Sequence, residues 1–341
     1  MSLVWMLASA LSAAAPQWVE ADTLLLEGRG WTDVASPYDR LPARAEKLVR
    51  PDVWNLSHNS AGLCVRFVTT ARSLRCQWAL RSANLDMPHM PATGVSGVDL
   101  YARLAGGWRF VANGRPTAQT NEAEFGLPAG ASEYRLYLPL YNGVSSVKLA
   151  VPEGQTLTAA TPSTTKPVVV YGTSIVQGGC ASRPGLASVA LAGRLLDVPT
   201  INLGFSGNAK SEPEVADLLA ELDPSVFVLD PLWNMTPDEV SGRIAPLVRR
   251  LRTARPTTPI LLVEDSQVFN QVPTGKGKLL RGIYDALRAE GVGGLSFLSA
   301  DGMLGTDGEG TVDGCHPNDL GFERQAQAYV GALKPLLGAT R

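Results

Sequence analysis

Pro167-Val168-Val169-Val170-Tyr171-Gly172-Thr173-Ser174-Ile175-Val176-Gln177-Gly178-Gly179 runs from an apolar strand into a glycine-flanked turn. The valines at 168–170 have no polar interruption, which suits a strand buried on both faces of a parallel sheet. The turn after Gly172 leads into a helix, and Ser174 sits on it. Two readings of that serine fit the segment. It can cap the helix. It can also be a nucleophile, if a base removes its proton and backbone N–H groups at the positive end of the helix meet the developing charge. No G-x-G-x-x-G is present, so this is not a dinucleotide fingerprint. Nor is it a G-x-S-x-G elbow, because position 176 is Val176.

Downstream the same alternation repeats. Apolar runs predict strands at 167–171, 199–203, 226–230, 259–263 and 294–298. Helical stretches lie between them at 186–196, 212–222, 237–253 and 276–290, and a last one spans about 317–337. Five strand–helix units predict a three-layer α/β/α domain over 167–341 with right-handed crossovers. Sites in such sheets lie at the carboxyl ends of the strands. Ser174, Gly207, Asn234 and the 301–316 loop all follow predicted strands.

Upstream, residues 16–151 read as β. Leu63–Phe67 and Leu74–Trp78 alternate apolar with polar or small residues around a short turn, which predicts a hairpin. Pairing positions that sum to 141 would bury Cys76 and turn Cys64 to the other face, against a disulfide between them. Further strands are expected at 98–103, 108–113, 133–140 and 144–151, together a β-sandwich or jelly roll. The Thr- and Pro-rich segment 152–166 reads as a linker or strap.

The chain has only His58, His89 and His316, so a histidine base is one of three. Asp313 precedes His316 by three residues. Inside one loop, that spacing lets the carboxylate hold the imidazole in the tautomer that accepts a serine proton. The bland alternative is a surface loop whose Asp and His make turn bonds.

Gly172-Thr173-Ser174, Asn202-Leu203-Gly204-Phe205-Ser206-Gly207-Asn208, Asn234 and Asp313-Gly314-Cys315-His316-Pro317 together resemble the SGNH, or GDSL-type, hydrolase superfamily, in the right order over 168–320. The usual Gly-Asp-Ser reads Gly-Thr-Ser here, and the Gly-x-Asn-Asp block reads Leu232-Trp233-Asn234-Met235. Gly97-Val98-Asp99-Leu100-Tyr101 and Leu138-Pro139-Leu140-Tyr141-Asn142-Gly143-Val144 resemble the β domain that precedes one SGNH subgroup. The resemblance implies a flavodoxin-like hydrolase domain behind a β-sandwich. It further implies an esterase that removes acyl groups, acetyl above all, from carbohydrate, without cofactor or metal. It makes Ser174 the nucleophile, His316 the base and Asp313 the third member of the triad. The N–H groups of Ser174 and Gly207 and the side-chain amide of Asn234 become the oxyanion hole. A lipid or aryl esterase, or a glycan-binding protein with an inactive hydrolase fold, are the alternatives.

Arg183, Asp265 (beside Glu264) and His89 are candidate substrate contacts. The competing readings are a structural ion pair or a solvated charge for the first two and a plain loop histidine for the third. If Ser174 and His316 meet, Cys180 and Cys315 come close, and a disulfide tying the two loops is a hypothesis that depends on export.

At 341 residues the chain can hold two domains, and 45% hydrophobic residues supply their cores. A formal net charge of -2 without a basic cluster argues against a nucleic-acid partner. Four scattered cysteines and three histidines show no zinc spacing. No apolar run reaches the roughly 20 residues of a membrane span. Residues 1–15 are apolar and end in alanines, as in a signal peptide, though without a basic start. A secreted or periplasmic location follows if they are one, a cytoplasmic one if they are not.

Overall fold

A computed structural model describes residues 17–267 and 272–338. The signal-peptide reading of residues 1–15 lies outside them. No helix among the described residues is long and apolar enough to cross a membrane.

The first half is a sandwich of two antiparallel sheets. One holds Val19–Glu20, Val144–Ala150, Ser73–Leu80 and Thr120–Gly126, in that order. The other runs Leu157–Ala159, Cys64–Thr69, Glu133–Tyr137, Val98–Leu104 and Gly107–Gly114, with Leu25–Glu27 also paired to Cys64–Thr69. Inward residues alternate along the strands. Leu63, Val65 and Phe67 meet Leu74, Cys76 and Trp78 in a single core.

The expected hairpin is therefore a correction. Cys64–Thr69 and Ser73–Leu80 lie in opposite sheets and face each other across the core, so the register summing to 141 does not exist. Period-2 alternation reports which face of a strand is buried, not which strand lies beside it. The faces are as read: Cys76 is in the sandwich core, and Cys64 lies on the outer side against Tyr101, Tyr137 and Ala190. Segment 152–166 is not plain linker either. Leu157–Ala159 pairs antiparallel with Phe67–Thr69 and extends the second sheet.

The second half is a parallel five-stranded sheet: β1 (Val168–Gly172), β2 (Thr200–Gly204), β3 (Val226–Asp230), β4 (Ile260–Val263) and β5 (Leu295–Leu298), in spatial order 2-1-3-4-5. The uninterrupted apolar runs have a simple cause. Val169, Tyr171, Phe227 and Leu229 face one core, and Val168, Val170, Val226 and Val228 face another on the opposite side. The helices are α1 (Ser174–Gln177), α2 (Ser188–Leu196), α3 (Pro213–Glu221), α4 (Pro237–Ala254), α5 (Gly275–Ala289) and α6 (Asp319–Gly338). Helix α4 starts on a capping box, Thr236 with Glu239, followed by Pro237. In this strand order the switch point falls between β1 and β3, and a ligand is expected outside their carboxyl ends.

The two halves share their interior. Trp31, Leu41 and Val53 enter one α/β core, and Ala61, Met90, Val95 and Leu140 enter the other. Arg40, 1% exposed, donates to the carbonyls of Leu56, Asn59, Asn202 and Gly204 and lies over the ring of Phe205. Burial lowers its pKa to about 9.

Candidate active site

Ser174 opens α1 directly after β1. The helix cap is the residue before it: the Thr173 Oγ1 accepts from the Ile175 N–H at 3.3 Å. That frees the Ser174 hydroxyl, whose Oγ lies 2.9 Å from the His316 Nε2. The Ser174 carbonyl accepts from the N–H groups of Gly178 (3.0 Å) and Gly179 (2.8 Å) and from the Tyr141 hydroxyl (3.1 Å). Gly178 ends the helix at φ 109°. Gly204 lets the helix lie against β2, since a Cβ there would stand 2.1 Å from the Gln177 nitrogen.

His316 is supplied by the loop before α6. The Asp313 Oδ2 lies 2.8 Å from its Nδ1, and Oδ1 accepts from the N–H groups of His316 (2.7 Å) and Cys315 (3.0 Å). Burial works to raise the Asp313 pKa. The hydrogen bonds from the His316 ring and the two backbone groups outweigh it and hold the carboxyl at about 2. A carboxylate can only accept, so the proton of a neutral His316 ring sits on Nδ1 and Nε2 faces Ser174 as an acceptor.

Gly207 has φ 68°, and a Cβ there would meet nothing within 4 Å, so its backbone borders open space. Asn234 ends the short turn after β3. Its Oδ1 accepts from the Ala209 N–H at 3.2 Å, which leaves the Nδ2 hydrogens for another acceptor. Sequence reasoning passed over Gln177. Fully buried, it donates to the Asn59 Oδ1 and the Leu140 carbonyl, both at 3.0 Å, and accepts from the Ser206 N–H at 3.0 Å. It thereby holds the segment carrying Gly207. Tyr141 lies in the Leu138–Val144 motif, whose sequence gives no sign of its bond to the Ser174 carbonyl.

The remaining candidates separate. Arg183 is engaged within the protein. It pairs with the buried Asp99 at 2.8 Å, donates to the Tyr101 hydroxyl at 2.6 Å and lies over Phe110, so it clamps the α/β half onto the Gly-x-Asp-Leu-Tyr strand. Asp265 lines a cleft of about 410 Å³ with Trp233, Thr274 and Lys276. Its carboxylate accepts from Thr274 at 2.8 Å, and burial raises its pKa. The His89 ring centroid lies 5.8 Å from that of His316. Cys180 and Cys315 are free thiols, so the loop-tying disulfide is absent. Burial, with Asp313 adding to it, pushes Cys180 up to about 12 and Cys315 up to about 11.

Residues 165–334 match the GDSL-like lipase/acylhydrolase family, and residues 16–157 match the N-terminus of SGNH-type esterases. A Bacteroides ovatus protein described as a GDSL-like lipase is 35% identical, with 95% of this chain and 98% of that one covered and a TM-score of 0.87. Two further solved structures share the fold. A salicylyl acyltransferase from a tetracycline biosynthetic pathway is 20% identical, with a TM-score of 0.78. A family two carbohydrate esterase from Cellvibrio japonicus is 13% identical, with a TM-score of 0.63. For both, 95% of this chain and 98% of the other are covered. Comparison with curated proteins finds no match. The chain belongs to the GDSL-like lipase/acylhydrolase family of SGNH-type hydrolases and carries the N-terminal β unit of SGNH-type esterases.

Proposed function

We propose that this protein is a serine esterase that removes short acyl groups, acetyl above all, from carbohydrate. The observation that carries the reading is the continuous contact from the Asp313 carboxylate through the His316 ring to the Ser174 hydroxyl. His316 takes the serine proton as Oγ attacks the ester carbonyl. The tetrahedral oxyanion is met by the N–H groups of Ser174 and Gly207 and by the Asn234 amide. The imidazolium, stabilised by Asp313, protonates the leaving alcohol. The ring then deprotonates a water molecule that cleaves the acyl-enzyme, and the free acid departs.

Carbohydrate as the alcohol is supported by the fold shared with carbohydrate esterases. The test is acetate release from a panel of acetylated polysaccharides, run beside an acyl-length series of aryl esters. The reading expects acetate release from at least one glycan and a fall in activity from acetyl to hexanoyl. Activity that climbs with chain length instead identifies a lipid-type esterase.

A further inference from the structure

His89 belongs to the β unit, yet it lies beside the catalytic histidine of the other half. It sits at the tip of a tight turn whose ends, Met87 and Met90, exchange both backbone hydrogen bonds at 3.0 Å. Met90 is 2% exposed and packs in the core under the parallel sheet, with Met87 against it. The helical turn that follows, Ala92–Val95, is stapled to the loop after the nucleophile. The Thr93 Oγ1 donates to the Ser182 carbonyl at 2.6 Å, and a Cβ on Gly94 would stand 2.1 Å from the Ala181 carbonyl oxygen. Pro88 restricts the backbone before the tip. The turn is thus anchored by apolar burial on one side and by hydrogen bonding on the other, while His89 itself stays exposed. Its ring is tilted 49° against that of His316, and neither of its nitrogens has a partner among the described residues.

The leaving oxygen must come within hydrogen-bond reach of the His316 Nε2 to be protonated. A rigidly held, unpaired imidazole next to that ring therefore borders the alcohol half of the ester. We propose that His89 is a substrate contact supplied by the β unit, hydrogen-bonding a hydroxyl that neighbours the scissile ester of a polyhydroxylated alcohol. The assignment rests on the Ser174–His316 reading above. It makes the β unit part of the active site and His89 a residue that favours sugar esters over esters of simple alcohols.

Two acetates with different alcohols test it: an acetylated sugar and 4-nitrophenyl acetate. His89→Ala is expected to lose about tenfold more kcat/KM on the sugar acetate than on the aryl acetate, chiefly through KM, as loss of one neutral hydrogen bond implies. His89→Gln, which keeps a donor and an acceptor, recovers part of that loss. Both variants should melt with the wild type, because the side chain is exposed. Equal losses on the two acetates overturn the proposal by showing that His89 acts on His316 alone. No loss on either also overturns it. If the wild type cleaves neither acetate, the esterase reading itself has failed and this assignment falls with it.

Discussion

Asp313 divides its two oxygens between the backbone and the ring of one histidine. Three residues of separation suffice because the loop turns back on itself: the Val312 N–H donates to the His316 carbonyl at 2.9 Å, and Gly314 adopts φ 84°. With its pKa held at about 2, Asp313 stabilises the folded state fully above the ordinary carboxylate range, and that contribution is lost as pH falls through about 2. Activity between pH 5 and 8 therefore does not follow Asp313. Replacing it by Asn presents a donor to Nδ1 and favours the wrong tautomer, so Asp313→Asn should lower kcat by on the order of 10³–10⁴ in steady-state assays. Asp230, at the end of β3, behaves in the opposite way. Burial pushes it up to about 8 against the 2.6 Å hydrogen bond from Tyr329. The folded state then holds a proton that the unfolded chain releases, so stability should decline as pH rises from about 4 to about 8. Asp230→Asn should flatten that decline in denaturant titrations at a series of pH values.

At the level of elements, the site depends on how α1 and the segment after β2 hold each other. Gln177 bridges them, and the Arg50 guanidinium holds Asn208 by side chain and carbonyl at 2.7 and 3.0 Å. With Asn234 as the oxyanion donor proposed above, Asn234→Ala should cost about 10²–10³ in kcat with little change in KM, the usual loss for one such donor. Gln177→Leu should also lower kcat, because the Gly207 loop loses its tether, and should destabilise the fold by about 1–3 kcal/mol through unpaired buried groups. Most of this half was legible in the chain, since its central strands, buried on both faces, read as nearly unbroken apolar runs with helical stretches between them. The β half was less so. Thr120–Gly126 carries Glu122 and Glu124 on its outer face, which weakens its apolar signal, and Val19–Glu20 and Leu25–Glu27 are too short to show a period. The partner sheet of Ser73–Leu80 depends on contacts remote in sequence. For the site, Ser174, Asp313 and His316 stood in local motifs, whereas Gln177 and Tyr141 act through partners that no local spacing announces.

Across the whole molecule, the halves cannot be separated without opening both α/β cores. A fragment beginning at residue 161 would expose the core places now filled by Trp31, Leu41, Val53, Met90 and Leu140. It should lack a cooperative thermal transition, while the full chain should unfold in one. Arg40 is the polar counterpart of that shared core. Arg40→Ala removes the donor to the carbonyls of Asn59 in one half and of Asn202 and Gly204 in the other, at about 1–3 kcal/mol each, and should lower Tm sharply in calorimetry. The shared interior is also what holds His89 beside His316. The central claim remains that Ser174 is the nucleophile of an esterase, and it is tested most directly by comparing acetate release by the wild type and by Ser174→Ala at equal Tm. The account predicts a fall of about 10⁴-fold or more. Hydrolysis that continues unchanged without the Ser174 hydroxyl would contradict it.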